Sequence, residues 1–165
     1  MKDYVTKYRR FFPLVIIALA LFPVTGEAQS KKDKKAQLKS IIEAQNYVFK
    51  AQSALPMAGA TRQLTSDFDL RISKDTILSD LPYFGRAYTA PLNPSEGPLH
   101  FTSTDFQYSV ADRKKGGWDV TITPKDVHDP RQINMSIFDN GTASVMVTSY
   151  NRQPISFNGY VTAKK

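Results

Sequence analysis

The 165-residue chain contains no cysteine. That excludes disulfides, thiolate nucleophiles, iron–sulfur clusters and cysteine-based zinc sites. A small domain without disulfides must be held by its core alone, which a chain of this length can supply. Histidine is almost as scarce, with two residues, His100 and His128. Catalytic zinc usually takes three protein ligands, so two imidazoles are few. The grouping of Asp126, His128 and Asp129 reads more simply as a polar turn. There is no G-x-S-x-G elbow and no glycine-rich loop between a strand and a helix. No apolar run reaches the roughly 20 residues of a spanning helix.

The longest apolar run is Phe11–Val24, behind the basic residues Lys2, Lys7, Arg9 and Arg10. It contains Pro13 and Pro23, and Gly26 and Ala28 follow with Glu27 between them. Basic, apolar and small-residue segments in that order describe a secretory signal. Residues 1–28 are expected to be a cleaved signal peptide. Residues 29–36 are expected to form a charged flexible tail, and residues 37–165 a single α+β domain. The product is expected to be soluble, in the periplasm or outside the cell, with no stable membrane insertion after cleavage.

The chain has 22 basic and 15 acidic residues, of which the signal holds four and two, leaving a net charge of +5. Export argues against nucleic acid as the partner, and solubility accounts for the charge more simply.

Leu38, Ile41, Ile42, Val48, Phe49 and Leu55 recur at helical spacing, so an amphipathic helix is expected from Leu38 to about Ala54, before Pro56. From Ser66 onward the period becomes two. Alternating segments centred on Leu70, Leu78, Leu99, Tyr108, Val120, Met135, Val145 and Phe157 suggest about eight strands. Gly116-Gly117 and Asp139-Asn140-Gly141 are turn signals. Pro91, Pro94, Gly97 and Pro98 mark a loop between two halves of the sheet. The expected fold is α+β, an N-terminal amphipathic helix packed on one strongly curved antiparallel sheet or open barrel. Asp67 and Asp69 are expected on a solvated strand face rather than as an acid/base pair. Asn134-x-Ser136 and Asn140-x-Thr142 match a glycosylation pattern that a bacterial envelope protein does not normally use.

Two segments have unusual composition. Leu81–Tyr88 reads LPYFGRAY, and Asn151–Gly159 reads NRQPISFNG. Tyr83, Phe84, Arg86, Tyr88, Arg152 and Gln153 form the candidate binding or interaction residues, because aromatics and arginine are enriched in binding surfaces. A guanidinium can grip a carboxylate or other anion in bidentate fashion. The plainer role for Arg86 and Arg152 is pairing with Asp80 or Asp105.

The signal, the helix, LPYFGRAY, the Lys-Gly-Gly-Trp hairpin and the terminal NRQPISFNGYV together resemble an exported domain-of-unknown-function family, numbered 4251, of Bacteroidetes. The resemblance runs from about Leu38 to Val161. It implies an envelope protein of a Gram-negative bacterium and carries over no catalytic residue. Some members resemble lipoproteins, but this chain lacks the cysteine that lipid attachment requires.

These observations lead to two expectations. The first is a non-catalytic protein, without cofactor or metal, that binds a small apolar molecule, a lipid or a peptide. The second is an interaction module acting through an exposed aromatic–arginine patch on an envelope protein. Enzymatic use of Asp67 or His128 is the weakest reading.

Overall fold

A computed structural model describes the backbone of residues 26–88 and 99–164, and side chains from Ser30 onward within those ranges. Most of the expected signal peptide and the proline-marked loop at 91–98 lie outside the described residues. The chain divides into two units, Met1–Lys31 and Lys32–Lys165. Of the first, the description covers only the helical residues Gly26–Lys31.

Helix α1 spans Gly26–Glu43. Residues 29–36, expected as a tail, are therefore helical. Their lysine, alanine and glutamine content favours helix at little cost, and the side chains from Ser30 to Gln37 are exposed. Only the last turns carry apolar anchors, the buried Leu38 and Ile42.

The expected helix to Ala54 is corrected here: α1 stops at Glu43, and strand β1 runs Tyr47–Pro56. The stop is a Schellman-type cap. Gln45 sits at φ 51°. Its N–H donates to the Ile42 carbonyl at 3.1 Å, and the Asn46 N–H reaches the Ile41 carbonyl at 2.9 Å. Glycine usually fills that left-handed position, so no sequence signal marked the end. Val48 and Phe49 fall at helical spacing from Ile41 and Ile42 by coincidence. They sit side by side because β1 is buried on both faces for its first three residues.

Nine further strands follow: β2 (Arg62–Gln63), β3 (Asp69–Ile72), β4 (Ile77–Leu81), β5 (Leu99–Ser103), β6 (Phe106–Asp112), β7 (Trp118–Pro124), β8 (Gln132–Ile137), β9 (Thr142–Thr148) and β10 (Ile155–Ala163). The eight strands read from alternation are all present as β3 to β10. The two that were missed are β1, read as helix, and the two-residue β2.

The sheet order is β5-β4-β3-β1-β10-β9-β8-β7-β6, with β2 attached to β1. Every neighbouring pair is antiparallel. Nine strands alternating in direction leave the two edges, β5 and β6, running the same way. Yet only Thr104 and Asp105 separate them in sequence. That span covers at most about 11 Å. The sheet must therefore curl until its edges nearly meet, giving a nearly closed barrel whose seam is crossed by one stepped strand.

The seam is tied by Asp126, beyond β7. Its carboxylate accepts from Ser103 Oγ at 2.5 Å, Thr104 N at 2.7 Å, Thr104 Oγ1 at 3.2 Å and Asp105 N at 3.1 Å. These bonds, that from Ser103 foremost, hold it well below the usual carboxylate range.

Inward positions follow the register. Phe49 opposes Leu70 and Val161, Val145 opposes Met135 and Phe157, and Ile133 opposes Ile122 and Val147. All are buried. At Gln52 the β1–β10 register shifts by one residue. This bulge swaps parity, so that Ala51 before it and Ala54 after it are both buried. Tyr47, fully buried, places its hydroxyl 3.1 Å from that of Tyr108 on β6, which donates to the Ile42 carbonyl at 3.0 Å. This chain of bonds joins α1, β1 and β6.

Asp69 corrects another expectation. It faces outward but is buried, with Lys50 Nζ at 2.9 Å and Arg71 Nε at 3.1 Å. It is not a solvated strand residue. Asp67, by contrast, is exposed.

Candidate functional site

One end of the barrel gathers the segments after β1, after β4, between β7 and β8, and between β9 and β10. All six candidate residues lie there. Leu81 ends β4, and Pro82 cannot donate to a further ladder bond. Tyr83 then folds back, its hydroxyl 3.0 Å from both the Arg86 and the Gln153 carbonyl oxygens. Gly85 is needed for this: a Cβ there would collide with the Tyr83 hydroxyl.

The two unusual segments pair with each other. Ala87 and Arg152 form an antiparallel bridge. Tyr88 N donates to Asn151 O at 2.8 Å, and Gln153 N donates to Arg86 O at 3.1 Å. Arg86 N also donates to Gln153 Oε1 at 3.4 Å.

The six residues divide by role. Tyr83 and Arg152 are part of the scaffold. The Arg152 guanidinium lies 5.7 Å from the Tyr83 ring centre. Its Nε is 3.5 Å from Asp129 Oδ2, with both side chains 14% exposed. Neither expected partner holds it: Asp80 pairs with His100 Nδ1 at 3.1 Å instead. Burial pushes the Tyr83 hydroxyl above its ordinary range, against the lowering effect of Arg152. Phe84 is half-buried beneath Arg62, whose guanidinium stands 4.8 Å from the ring centre. Arg86 and Tyr88 are exposed, and Gln153 is half-buried.

Sequence reasoning missed two residues here, Met57 and Tyr150. With Tyr88 they are the most exposed large apolar side chains among the described residues, at 70%, 65% and 69%. All three sit at this end. Arg131 covers the Tyr150 ring at 5.6 Å. An aromatic in the Ser-Tyr-Asn turn between two strands was the available signal for Tyr150. Nothing in the sequence marks Met57.

The end carries the cations Arg62, Arg86, Lys125, Arg131 and Arg152 against the carboxylates Asp105, Asp126 and Asp129. Asp126 is engaged by the seam and Asp129 Oδ2 by Arg152, while Asp129 Oδ1 is buried without a partner. The exposed chemistry is chiefly guanidinium edges and aromatic faces. Among the described residues no three histidine, aspartate or glutamate side chains converge as metal ligands.

The family model described as "Domain of unknown function (DUF4251)" matches residues 29–161. No curated protein matches the chain. Among solved structures, the chain is similar to a DUF4251 family protein from Bacteroides eggerthii, whose crystal structure was determined at 1.95 Å resolution. The two are 14% identical with a TM-score of 0.58, over 79% of this chain and 87% of that one. That likeness concerns the fold.

Proposed function

From the chain's membership of the DUF4251 family, a family of unknown function, we propose an exported, non-catalytic protein that holds an acidic polypeptide segment of an envelope partner at its loop end. The observation that carries this reading is the clustering there of the three most exposed large apolar side chains, Met57, Tyr88 and Tyr150. They are set among five cations against three carboxylates, of which Asp126 and Asp129 already have internal partners. Exposed aromatics supply area at low entropic cost, and arginine supplies bidentate grip on carboxylates. Export is supported by the basic, apolar and small-residue segments of residues 1–28. No described helix is long and apolar enough to cross a membrane.

A peptide at the loop end suits the structure better than an apolar small molecule under the helix. The inward positions of the barrel are filled by Tyr47, Phe49, Phe157, Met135 and isoleucines exposed by no more than 1%. The cleft beside the helix end, about 320 Å³ and lined by Ala44, Gln45, Asn46, Ser73 and Lys74, opens to solvent.

Selection of a random peptide library on the immobilised protein tests the proposal. Acidic peptides are expected to be enriched, to weaken with salt, and to lose about 10-fold or more in affinity for Arg86→Glu and for Tyr150→Ala. Enriched peptides without acidic residues, or acidic ones that bind both variants like the wild type, refute it.

A further inference from the structure

The outer wall of the barrel carries a second arrangement that shares no residue with the loop end. In register across it stand Tyr160, Lys50 and Asp69, and beside them Thr162, Val48 and Arg71. These side chains, with Ala163 and Lys164, line a cleft of about 500 Å³. Val48 is its buried floor, a short side chain between long ones. An adjoining cleft of about 210 Å³, bordered by Asp67, shares Lys50 and Tyr160.

At the centre is a carboxylate that a sheet surface does not need to bury. The Asp69 side chain is 3% exposed, while Lys50 and Arg71 are 29% and 51% exposed. Burying a charge is costly unless it is paired. Here the pairing fixes two cations at the surface. Arg71 uses one edge on Asp69, donating from Nε at 3.1 and 3.2 Å and from Nη2 at 3.2 Å. Its other edge, Nη1 with the second Nη2 hydrogen, faces away with the planar fork intact. Lys50 spends one donor on Asp69 at 2.9 Å and keeps two. Lys164 adds a third cation, its Nζ 2.8 Å from Ser73 Oγ. Tyr160, 43% exposed, forms one wall.

We infer that this cleft binds a small organic anion, a carboxylate or phosphate ester. Arg71 and Lys50 donate to its anionic group, and Tyr160 packs on its apolar part. Asp69 is a positioning residue that never touches the ligand. The cleft's size falls within the range of small-molecule sites, about 300–1,000 Å³. Its own lining sets three cations against one internally neutralised carboxylate, with the exposed Asp67 beyond Lys50, and that balance selects the sign.

Isotope-edited NMR titration of the purified protein with inorganic phosphate, and separately with benzoate, provides the test. Saturable shifts are expected at the amides of Val48–Lys50, Asp69–Arg71 and Tyr160–Lys164 and at Arg71 Nε. The probe that binds tighter names the ligand class. Arg71→Lys keeps the charge and loses the fork, so a loss of about 10-fold is expected. Asp69→Asn makes the cleft more positive, yet it is expected to weaken binding because the cations lose their anchor. General charge attraction predicts the opposite sign for that variant. If Asp69→Asn fails to fold, Arg71→Lys decides, since Asp69 keeps Lys50. Shifts that never saturate and spread over surface lysines, or unchanged affinity in Arg71→Lys, overturn the inference.

Discussion

Replacing the two tyrosines that join α1 to the barrel tests the packing logic through a sign. Tyr108 donates to the Ile42 carbonyl, so its oxygen is left to accept from Tyr47. Tyr47→Phe removes one hydrogen bond and strands nothing, a loss of about 1 kcal/mol. Tyr108→Phe removes both bonds. The Ile42 carbonyl keeps the Gln45 N–H at 3.1 Å, but the fully buried Tyr47 hydroxyl loses its partner. A stranded buried donor adds about 1–3 kcal/mol to the lost bonds, so Tyr108→Phe is expected to cost roughly 2–4 kcal/mol. The double Phe variant no longer has that donor and is expected to be more stable than Tyr108→Phe alone. Urea denaturation at constant m value measures all three, each kcal/mol also moving Tm by about 3–5 °C for a domain of this size. Strictly additive costs, or a Tyr108→Phe variant no worse than Tyr47→Phe, refute the reasoning. An alkaline limb provides a second reading of the same pair. Burial pushes the Tyr108 hydroxyl up to about 12 and that of Tyr47 well above its ordinary range. Folded-state values raised above the unfolded ones mean that this stability is whole below about pH 10 and is lost as pH rises above it. The double variant is expected to show a shallower alkaline limb.

At the seam, the depressed Asp126 carboxylate contributes stability that is present above about pH 4 and lost as pH falls below it. Asp126→Asn is therefore expected to flatten the acid limb of the stability profile between pH 5 and 2, read by denaturant midpoints; an unchanged limb counts against the seam tie. At the loop end, Gly85→Ala forces the Tyr83 ring off its two carbonyls and is expected to cost about 1–3 kcal/mol as overpacking does. Protection of the Tyr88 and Gln153 amides from hydrogen exchange should drop with it, and full protection there contradicts the placement of Tyr83.

The strands from β3 to β10 were legible because their side chains alternate between an apolar inner and a polar outer face, which writes period two into the sequence. Strand β1 was not, since its first residues are buried on both faces and erase the alternation. The chain reversal before it has Gln45 where glycine would have announced it. Asp69 misled for a related reason: its outward parity is correct, but Lys50 closes over it from a position that only the register brings near, and Arg71 from two residues along its own strand. The candidate site was legible in part. Composition singled out LPYFGRAY and NRQP, and the fold pairs them. That Arg152 is held by Asp129 and Tyr83, while Tyr150 and Met57 take the exposed positions, depends on loops whose juxtaposition no local pattern encodes.

The pairing of β1 with β10 gives the chain a timing. Nine residue pairs join Tyr47–Pro56 to Ile155–Ala163, so the middle of the sheet is built from residues 99 to 116 apart in sequence. No amount of the chain short of the last strand can complete it. A chain that emerges N-terminus first therefore has β1 without its β10 neighbour until the end, and contacts of such long sequence separation form slowly. The same ring, cut at the Thr104–Asp105 step and joined from Ala163 to Tyr47, would thread every strand next to its neighbour in order.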